Sequence, residues 1–198
     1  TICSEDSEFL AYMATLVTTT TTTSLLAPAL TIIGNYFTIS TQSQHDVFVN
    51  PLVIDSIMRT MQRNKELVVD AVWVLGNIVS TAPYEVVERI VQSGCIPLLI
   101  NLIESSQNEQ LVLSVFITIN NVMMSENNGA YPFIHCCLEL GFLDYLFDYF
   151  KVFQTVKYFE LAISILEFLL NTVPDFVKMI QRIGGLDVLN DFNAVPCV

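Results

Sequence analysis

One segment of the chain combines an acidic, an aromatic and an amide side chain at a spacing that suits the binding of one ligand. Asp70, Trp73 and Asn77 stand at i, i+3 and i+7, so on a helix they share one face and can reach one ligand. A lysine stem can lie on an indole face through apolar and cation–π contacts. An asparagine amide offers a donor and an acceptor, which is what a peptide unit presents. The segment is therefore a candidate ligand-binding site.

Relatives of this segment occur upstream and downstream. An apolar run closes on Gly34-Asn35 as another closes on Asn77, and further on Phe116 stands four residues before Asn120. The interval is 42 residues from Asn35 to Asn77 and 43 from Asn77 to Asn120. Self-similarity at this interval, without strand signals, predicts a helical solenoid, whose concave face usually binds the ligand.

Three kinds of predicted helix alternate between the repeats. The long helices cover 24–37, 65–80, 108–125 and 157–172, the medium ones 94–103, 141–150 and 185–192, and short ones such as 84–92 and 174–183 precede them. Gly94, Gly141 and Gly184 mark the turns into the medium helices, where a sharp turn favours a residue that accepts positive φ. A three-helix unit of about 42 residues is in the size range of armadillo and HEAT repeats. We predict one domain, 1–198, with units 1–42, 43–82, 83–127, 128–173 and a partial 174–198.

A run of six threonines fills 18–23. Its β propensity permits a strand, but the repeat places a loop there. We predict a low-complexity loop with Ser24 as the N-cap of the next helix.

Composition restricts the class of protein and the partner. With 53% hydrophobic residues, the chain can bury a sizeable core, and no apolar stretch reaches the roughly 18 uninterrupted residues of a spanning helix. A net charge of −12 disfavours nucleic acid and favours basic partners, although an acidic surface can also serve solubility alone. The first residues lack an initiator Met and the basic start of a signal peptide. We expect a soluble protein with no membrane partner, and the chain is either a whole protein or a piece of a longer one.

No metal, cofactor or catalytic site is predicted. The five cysteines include no Cys-x-x-Cys pair and indicate reduced thiols in the cytosol or nucleus. His45 and His135 are far apart in sequence and have no metal-ligand spacing nearby. No phosphate loop, nucleophile elbow or paired catalytic residues appear, so we do not expect an enzyme.

These residues resemble the armadillo repeat and, among armadillo proteins, the C-terminal half of importin-α. The matching segments follow in order over nearly the whole chain: 27–35 resembles the sixth repeat, 70–77 the seventh, 116–120 the eighth, 161–167 the degenerate ninth and 183–187 the tenth. The resemblance implies an all-α, right-handed solenoid of about four units and a partial last one.

The resemblance also implies a function. In that family the long helices line a concave groove that holds a lysine-rich nuclear localisation peptide, with asparagines on its backbone, tryptophans against its lysine stems and acidic groups at the ammonium ends. The matching peptide-binding positions are Asp70, Trp73, Asn77, Asn35, Phe116 and Asn120. The implied protein is a nuclear import adaptor of the cytoplasm and nucleus, with importin-β or an export receptor as a further partner.

Departures from the family pattern support a second hypothesis. Polar Thr31 and Ser164 stand at tryptophan positions, Leu113 stands where Asp70 would recur, and Phe168 replaces an asparagine. Only one complete acidic–Trp–Asn set therefore remains. The alternative function is an armadillo scaffold that has lost the peptide chemistry.

Each candidate residue also has a structural interpretation. Trp73 and Phe116 can pack in the core, and the asparagines can satisfy backbone groups between repeats. Glu160 and Glu167 lie on a polar stripe of the fourth long helix, which is either a solvated face or a second acidic patch.

Overall fold

The computed structural model describes residues 2–39, 51–125, 131–152 and 155–193. Within these ranges the chain forms twelve α-helices and no strand, which confirms the all-α prediction. In chain order they are α1 (Ile2–Thr19), α2 (Thr23–Ile39), α3 (Pro51–Arg63), α4 (Val68–Thr81), α5 (Tyr84–Gln92), α6 (Cys95–Ser105), α7 (Glu109–Met124), α8 (Pro132–Glu139), α9 (Phe142–Val152), α10 (Val156–Thr172), α11 (Phe176–Arg182) and α12 (Gly185–Asn193).

Glycine turns connect the short helices to the medium ones. Gly94, Gly141 and Gly184 have φ angles of 91°, 78° and 71°, in the left-handed region that a side chain disfavours. Each turn ends α5, α8 or α11 and lets α6, α9 or α12 begin at once. The predicted role of these three glycines is confirmed.

The loop within the threonine run is shorter than predicted. Helix α1 continues through Thr19, only 20–22 are non-helical, and α2 already begins at Thr23. Ser24 therefore lies inside α2, and its predicted N-cap role is wrong. The two added residues of α1, Thr18 and Thr19, both donate their hydroxyls to the Thr15 carbonyl in the preceding turn.

The chain divides into two compact units, Thr1–His135 and Cys136–Val198. The prediction of a single domain and its repeat boundaries stay predictions. In the first unit, α4 packs between the long helices α2 and α7, with α3 behind it. Its apolar face, which includes Val72, Leu75 and Ile78, is fully buried.

In the second unit, aromatic rings form much of the core. Phe142, Phe147, Phe150 and Tyr158 are buried, and the Tyr158 hydroxyl donates to the Leu146 carbonyl at 2.8 Å. Phe150 meets Tyr158 edge to face, with ring centroids 5.7 Å apart. The bond and the ring contact tie the start of α10 to α9.

Two glycines in the first unit let successive long helices approach closely. A Cβ on Gly34 of α2 would overlap the six-membered ring of the Trp73 indole on α4. One repeat later, a Cβ on Gly76 would lie 2.7 Å from the Thr118 hydroxyl oxygen on α7. Residues 34 and 76 are therefore small because a side chain of the next long helix occupies the space beside them.

We predict that the cost of filling position 34 depends on Trp73. Gly34→Ala should lower the free energy of unfolding by about 1–3 kcal/mol, because it overpacks the indole. In a Trp73→Ala background the same change should be neutral or stabilising, since alanine is a better helix former than glycine by up to about 1 kcal/mol. Urea unfolding of the four proteins measures the coupling, and equal destabilisation in both backgrounds would contradict it.

We predict that Tyr158 contributes to stability only while it is neutral. Burial, followed by the nearby Tyr149 and Asp148, raises the pKa of Tyr158 above its ordinary value. Because the unfolded tyrosine ionises near pH 10 and the folded one higher, its contribution is present below about pH 10 and is lost as pH rises further.

Tyr158→Phe should lower the free energy of unfolding at pH 7 by about 1–3 kcal/mol and reduce its decline above about pH 10. Urea unfolding at a series of pH values measures both effects. Tyr12→Phe is the matched control at an exposed position. An unchanged alkaline decline in Tyr158→Phe would refute the assignment.

Candidate functional site

The predicted acidic–Trp–Asn set lies on the accessible side of α4. Asp70, in the first turn of the helix, is half-buried, as are Trp73 and Asn77. The intervening residues 71, 72, 74, 75 and 76 are buried, so the helix presents these three side chains to solvent along one edge. The i, i+3, i+7 spacing therefore places them on one accessible face.

Asn77 connects α4 to the preceding long helix. Its Nδ2 donates to the Gly34 carbonyl at 3.2 Å, a contact that the absence of a side chain at Gly34 leaves accessible. The amide has a second N–H and its Oδ1 beyond this bond. Asn77 is thus bonded to the preceding long helix and retains one N–H and its Oδ1 for contacts with a ligand.

The equivalent contact on α7 is made by Asn121. Its Nδ2 donates to the Gly76 carbonyl at 3.1 Å, and its side chain is half-buried. Asn120 is only 8% exposed, and its Nδ2 faces the Met124 sulfur at 3.4 Å. The Asn120 Oδ1 has no hydrogen-bond partner among the described residues.

The exposed face of α7 therefore differs by one residue from the sequence prediction. Phe116, placed by the sequence at the tryptophan position, is 0% exposed and packs in the core. Ile117 and Asn121 stand at i and i+4 on the accessible side, as Trp73 and Asn77 do on α4. We replace Phe116 and Asn120 by Ile117 and Asn121 in the candidate site.

A helical pattern in the sequence could have identified this register. Leu113, Phe116 and Asn120 fall at i, i+3 and i+7, and the first two are large and apolar, which is typical of a buried stripe. Ser114 and Asn121 fall one residue later and are polar. A spacing rule that required an asparagine four residues after an aromatic selected the buried stripe instead.

Helix α2 supplies the remaining predicted residue. Asn35 and Thr31 are exposed, and Asn35 directly follows the glycine to which Asn77 bonds. Asn35, Asn77 and Asn121 therefore lie on the long helices α2, α4 and α7. Asn77 bonds to the carbonyl of the residue before Asn35, and Asn121 bonds to the carbonyl of the residue before Asn77. We call these three residues the asparagine ladder.

Charge on the ladder helices is sparse and negative. Helices α2, α4 and α7 contain no lysine, arginine or histidine, and their only acidic residues are Asp70 and Glu109. A cation near Trp73 and Asn77 would meet no like charge on these helices. A recess of about 440 Å³ adjoins the ladder at Asn121 and is also lined by Tyr84 and Met124.

The predicted acidic pair of the second unit is accessible. Glu160 and Glu167 of α10 are exposed, and the apolar Ile163 between them is exposed as well. The face is thus partly apolar as well as acidic. Its predicted role as a second patch stays a prediction.

The described part of the chain lacks a metal-binding cluster. No group of three or more His, Cys, Asp or Glu residues is arranged to hold a metal ion there. His135 is exposed, and His45 lies outside the described residues. In the same ranges no single helix is long and apolar enough to cross a membrane, although the bent pair α5 and α6 is so by combined length and composition.

Comparisons with known proteins identify the fold. No protein-family model matches the chain, and no curated protein matches it. Among solved structures, a designed armadillo repeat protein in complex with the peptide (KR)4 superposes with a TM-score of 0.79 at 17% identity, over 95% of this chain and 75% of that one. Computationally designed armadillo repeat proteins for modular peptide recognition give a TM-score of 0.77 at 15% identity, over 95% of this chain and 76% of that one.

A third structure, an engineered protein, gives a TM-score of 0.77 at 17% identity over 94% of this chain and 72% of that one. At these identities the likeness concerns the fold and leaves the ligand open. The three-helix units, the glycine turns and these superpositions together show that the chain has the armadillo-repeat solenoid fold.

Proposed function

We propose that the asparagine ladder binds an extended, lysine-rich peptide, and that the chain acts as an importin-α-like nuclear import adaptor, not as an enzyme. The ladder is the observation that carries the proposal. Successive long helices present one asparagine each, and the two that bond to the preceding helix use a single N–H for that bond. Their other amide atoms suit the N–H and C=O of a peptide backbone.

The spacing of the ladder is compatible with an extended ligand. Packed helices lie about 8–10 Å apart, and the glycine contacts favour the lower end of that range. An extended chain advances about 6.6–7 Å over two residues and about 10 Å over three. One asparagine can therefore meet a peptide unit about every second or third residue.

A lysine-rich sequence fits the side chains around the ladder. The accessible part of the Trp73 indole offers an apolar surface to a lysine stem, and Asp70 lies one turn away on the same edge. No basic residue on α2, α4 or α7 opposes a cation. A fold neighbour that was solved with the alternating peptide (KR)4 supports the same ligand class.

The cellular part of the proposal has a narrower basis. Transport between cytoplasm and nucleus, and partnership with importin-β or an export receptor, follow from the sequence resemblance to importin-α. Neither role is possible unless the asparagine ladder binds a localisation peptide.

We predict that single substitutions on the ladder weaken peptide binding. Trp73→Ala and Asn77→Ala should each reduce affinity for a fluorescent lysine-rich localisation peptide by about 5- to 30-fold, through loss of cation–π and hydrogen-bond contacts. Fluorescence anisotropy measures the affinity. Tyr12→Ala and Asn101→Ala are matched controls at exposed positions on other helices.

A neighbouring pair of asparagines tests the register of α7. Asn121→Ala should weaken the peptide as Asn77→Ala does, whereas Asn120→Ala should leave affinity within about twofold, because Asn120 is buried. If the wild type binds no more tightly than a Trp73→Ala, Asn77→Ala double mutant, the adaptor proposal fails. The scaffold alternative would then remain.

We also predict that binding weakens as salt rises. Raising the ionic strength from about 0.05 M to 0.5 M shortens the Debye length from about 14 to 4 Å and screens the attraction between carboxylates and ammonium groups. Asp70→Asn should reduce the slope of affinity against salt. An affinity independent of salt in the wild type would show that the peptide's charge is not recognised.

A further inference from the structure

A second candidate site lies on the first unit, away from the asparagine ladder. A cavity of about 770 Å³ opens between the α1–α2 turn and the α3–α4 turn. Thr23, which lines it, precedes Asn35 by twelve residues, or about 18 Å along a helix. The volume is within the roughly 300–1,000 Å³ typical of ligand pockets.

The cavity concentrates positive charge in an acidic chain. Arg59, Arg63 and Lys65 all line it, which is three of the eight basic residues in a protein of net charge −12. Glu66 is the one acidic residue in the lining. Neither Arg63 nor Lys65 forms a salt bridge with any residue that the structure describes.

No single structural role accounts for the presence of all three cationic side chains in the lining of the cavity. Arg63 lies in the last turn of α3, where a cation interacts favourably with the helix C-terminus. Arg59 lies one turn earlier, held by bonds from its Nε to the Asp55 carbonyl and from its Nη2 to the Ser56 hydroxyl. Lys65 follows the end of the helix and is exposed.

Three hydroxyl oxygens around the cavity accept hydrogen bonds from neighbouring groups. The Thr20 oxygen accepts from the Thr22 N–H at 3.2 Å, and the Thr23 oxygen accepts from Asn64 Nδ2 at 3.4 Å. The Ser56 oxygen accepts from Arg59 at 2.7 Å. Each of these three hydroxyls has one hydrogen that it can donate to an acceptor, whereas the Thr18, Thr19 and Thr60 hydroxyls already donate to backbone carbonyls.

We propose that this cavity binds a phosphate monoester. Such a group carries about −1.5 to −2 charges at pH 7 and three acceptor oxygens, so it requires cations and donors, which the lining supplies. The Arg63 guanidinium can match a phosphate with two parallel hydrogen bonds, and the Thr20 and Thr23 hydroxyls can donate to its remaining oxygens. A long nucleic acid would be repelled by the overall charge, whereas a single phosphate group on a peptide or a small molecule needs only the local patch.

Calorimetry with the whole chain tests the proposal. The probes are a phosphothreonine peptide with uncharged flanks, its unphosphorylated twin and phenyl phosphate. We expect saturable binding of the phosphorylated probes and at least tenfold weaker binding of the twin. Tighter binding of the phosphopeptide than of phenyl phosphate identifies a protein source, and equal binding identifies recognition of the phosphate group alone, as for a small metabolite. Equal binding of the peptide and its unphosphorylated twin, or no binding of either phosphorylated probe, overturns the proposal.

A charge-matched pair of variants separates a site from general electrostatics. Arg63→Glu with Lys65→Glu should reduce phosphate affinity at least tenfold. Lys157→Glu with Arg182→Glu makes the same change in net charge at exposed positions and should reduce it less than twofold. Similar losses in both variants would overturn the proposal.

Two further measurements locate the ligand. In NMR titrations the amide signals of residues 18–23 should shift in the wild type and not in the Arg63→Glu, Lys65→Glu variant. Shifts confined to other residues would contradict the site. The same variant should retain its affinity for a lysine-rich peptide, so failure here is distinguishable from failure of the asparagine ladder.

Discussion

The first unit depends on the close approach of its long helices. Gly34 and Gly76 have no side chain, so the next long helix packs Trp73 or Thr118 directly against their backbone. That approach brings the Gly34 carbonyl within reach of Asn77 and the Gly76 carbonyl within reach of Asn121. A carbonyl has two lone pairs, so it can accept this amide in addition to its bond within the helix. Packing and polar contact between repeats thus arise from the same glycines.

From the sequence, the asparagines are expected either to bond to a backbone group of the neighbouring repeat or to bind a ligand. This arrangement makes the two roles compatible. A side-chain amide has more hydrogen-bonding groups than one backbone contact can use. The bond to the preceding helix fixes the position of the amide and leaves the rest of it accessible at the surface. Holding the repeats together and meeting a ligand are therefore compatible tasks for one side chain.

Much of the fold could be predicted from the sequence, because helix periodicity and glycine turns are local signals. The short and medium helices begin and end within a few residues of their predicted bounds, and Gly94, Gly141 and Gly184 have the expected positive φ. The rotation of α7 could not be read from repeat spacing, since one residue turns a helix by about 100° and exchanges Asn120 for Asn121. The interval between repeats varies with loop length, so it cannot fix a register to one residue.

The basic cavity could not be predicted for a different reason. Its lining comes from two turns about forty residues apart in sequence, and each part has an ordinary local meaning. Threonines in a low-complexity run indicate a loop, and Arg63 at the end of α3 indicates helix capping. Only the packing of α1 beside α3 places them around one space.

The glycine contacts also separate the spacing of the long helices from the ligand preference of the surface, so that mutation can change one without the other. The contacts of Trp73 with Gly34 and of Thr118 with Gly76 set the distance between neighbouring long helices. The exposed side chains of Thr31 and Ile117, which would meet a ligand, are not part of these contacts. Those outward positions can exchange residues while the pitch of the surface stays constant. A scaffold of this kind can acquire a new ligand preference by surface substitution alone.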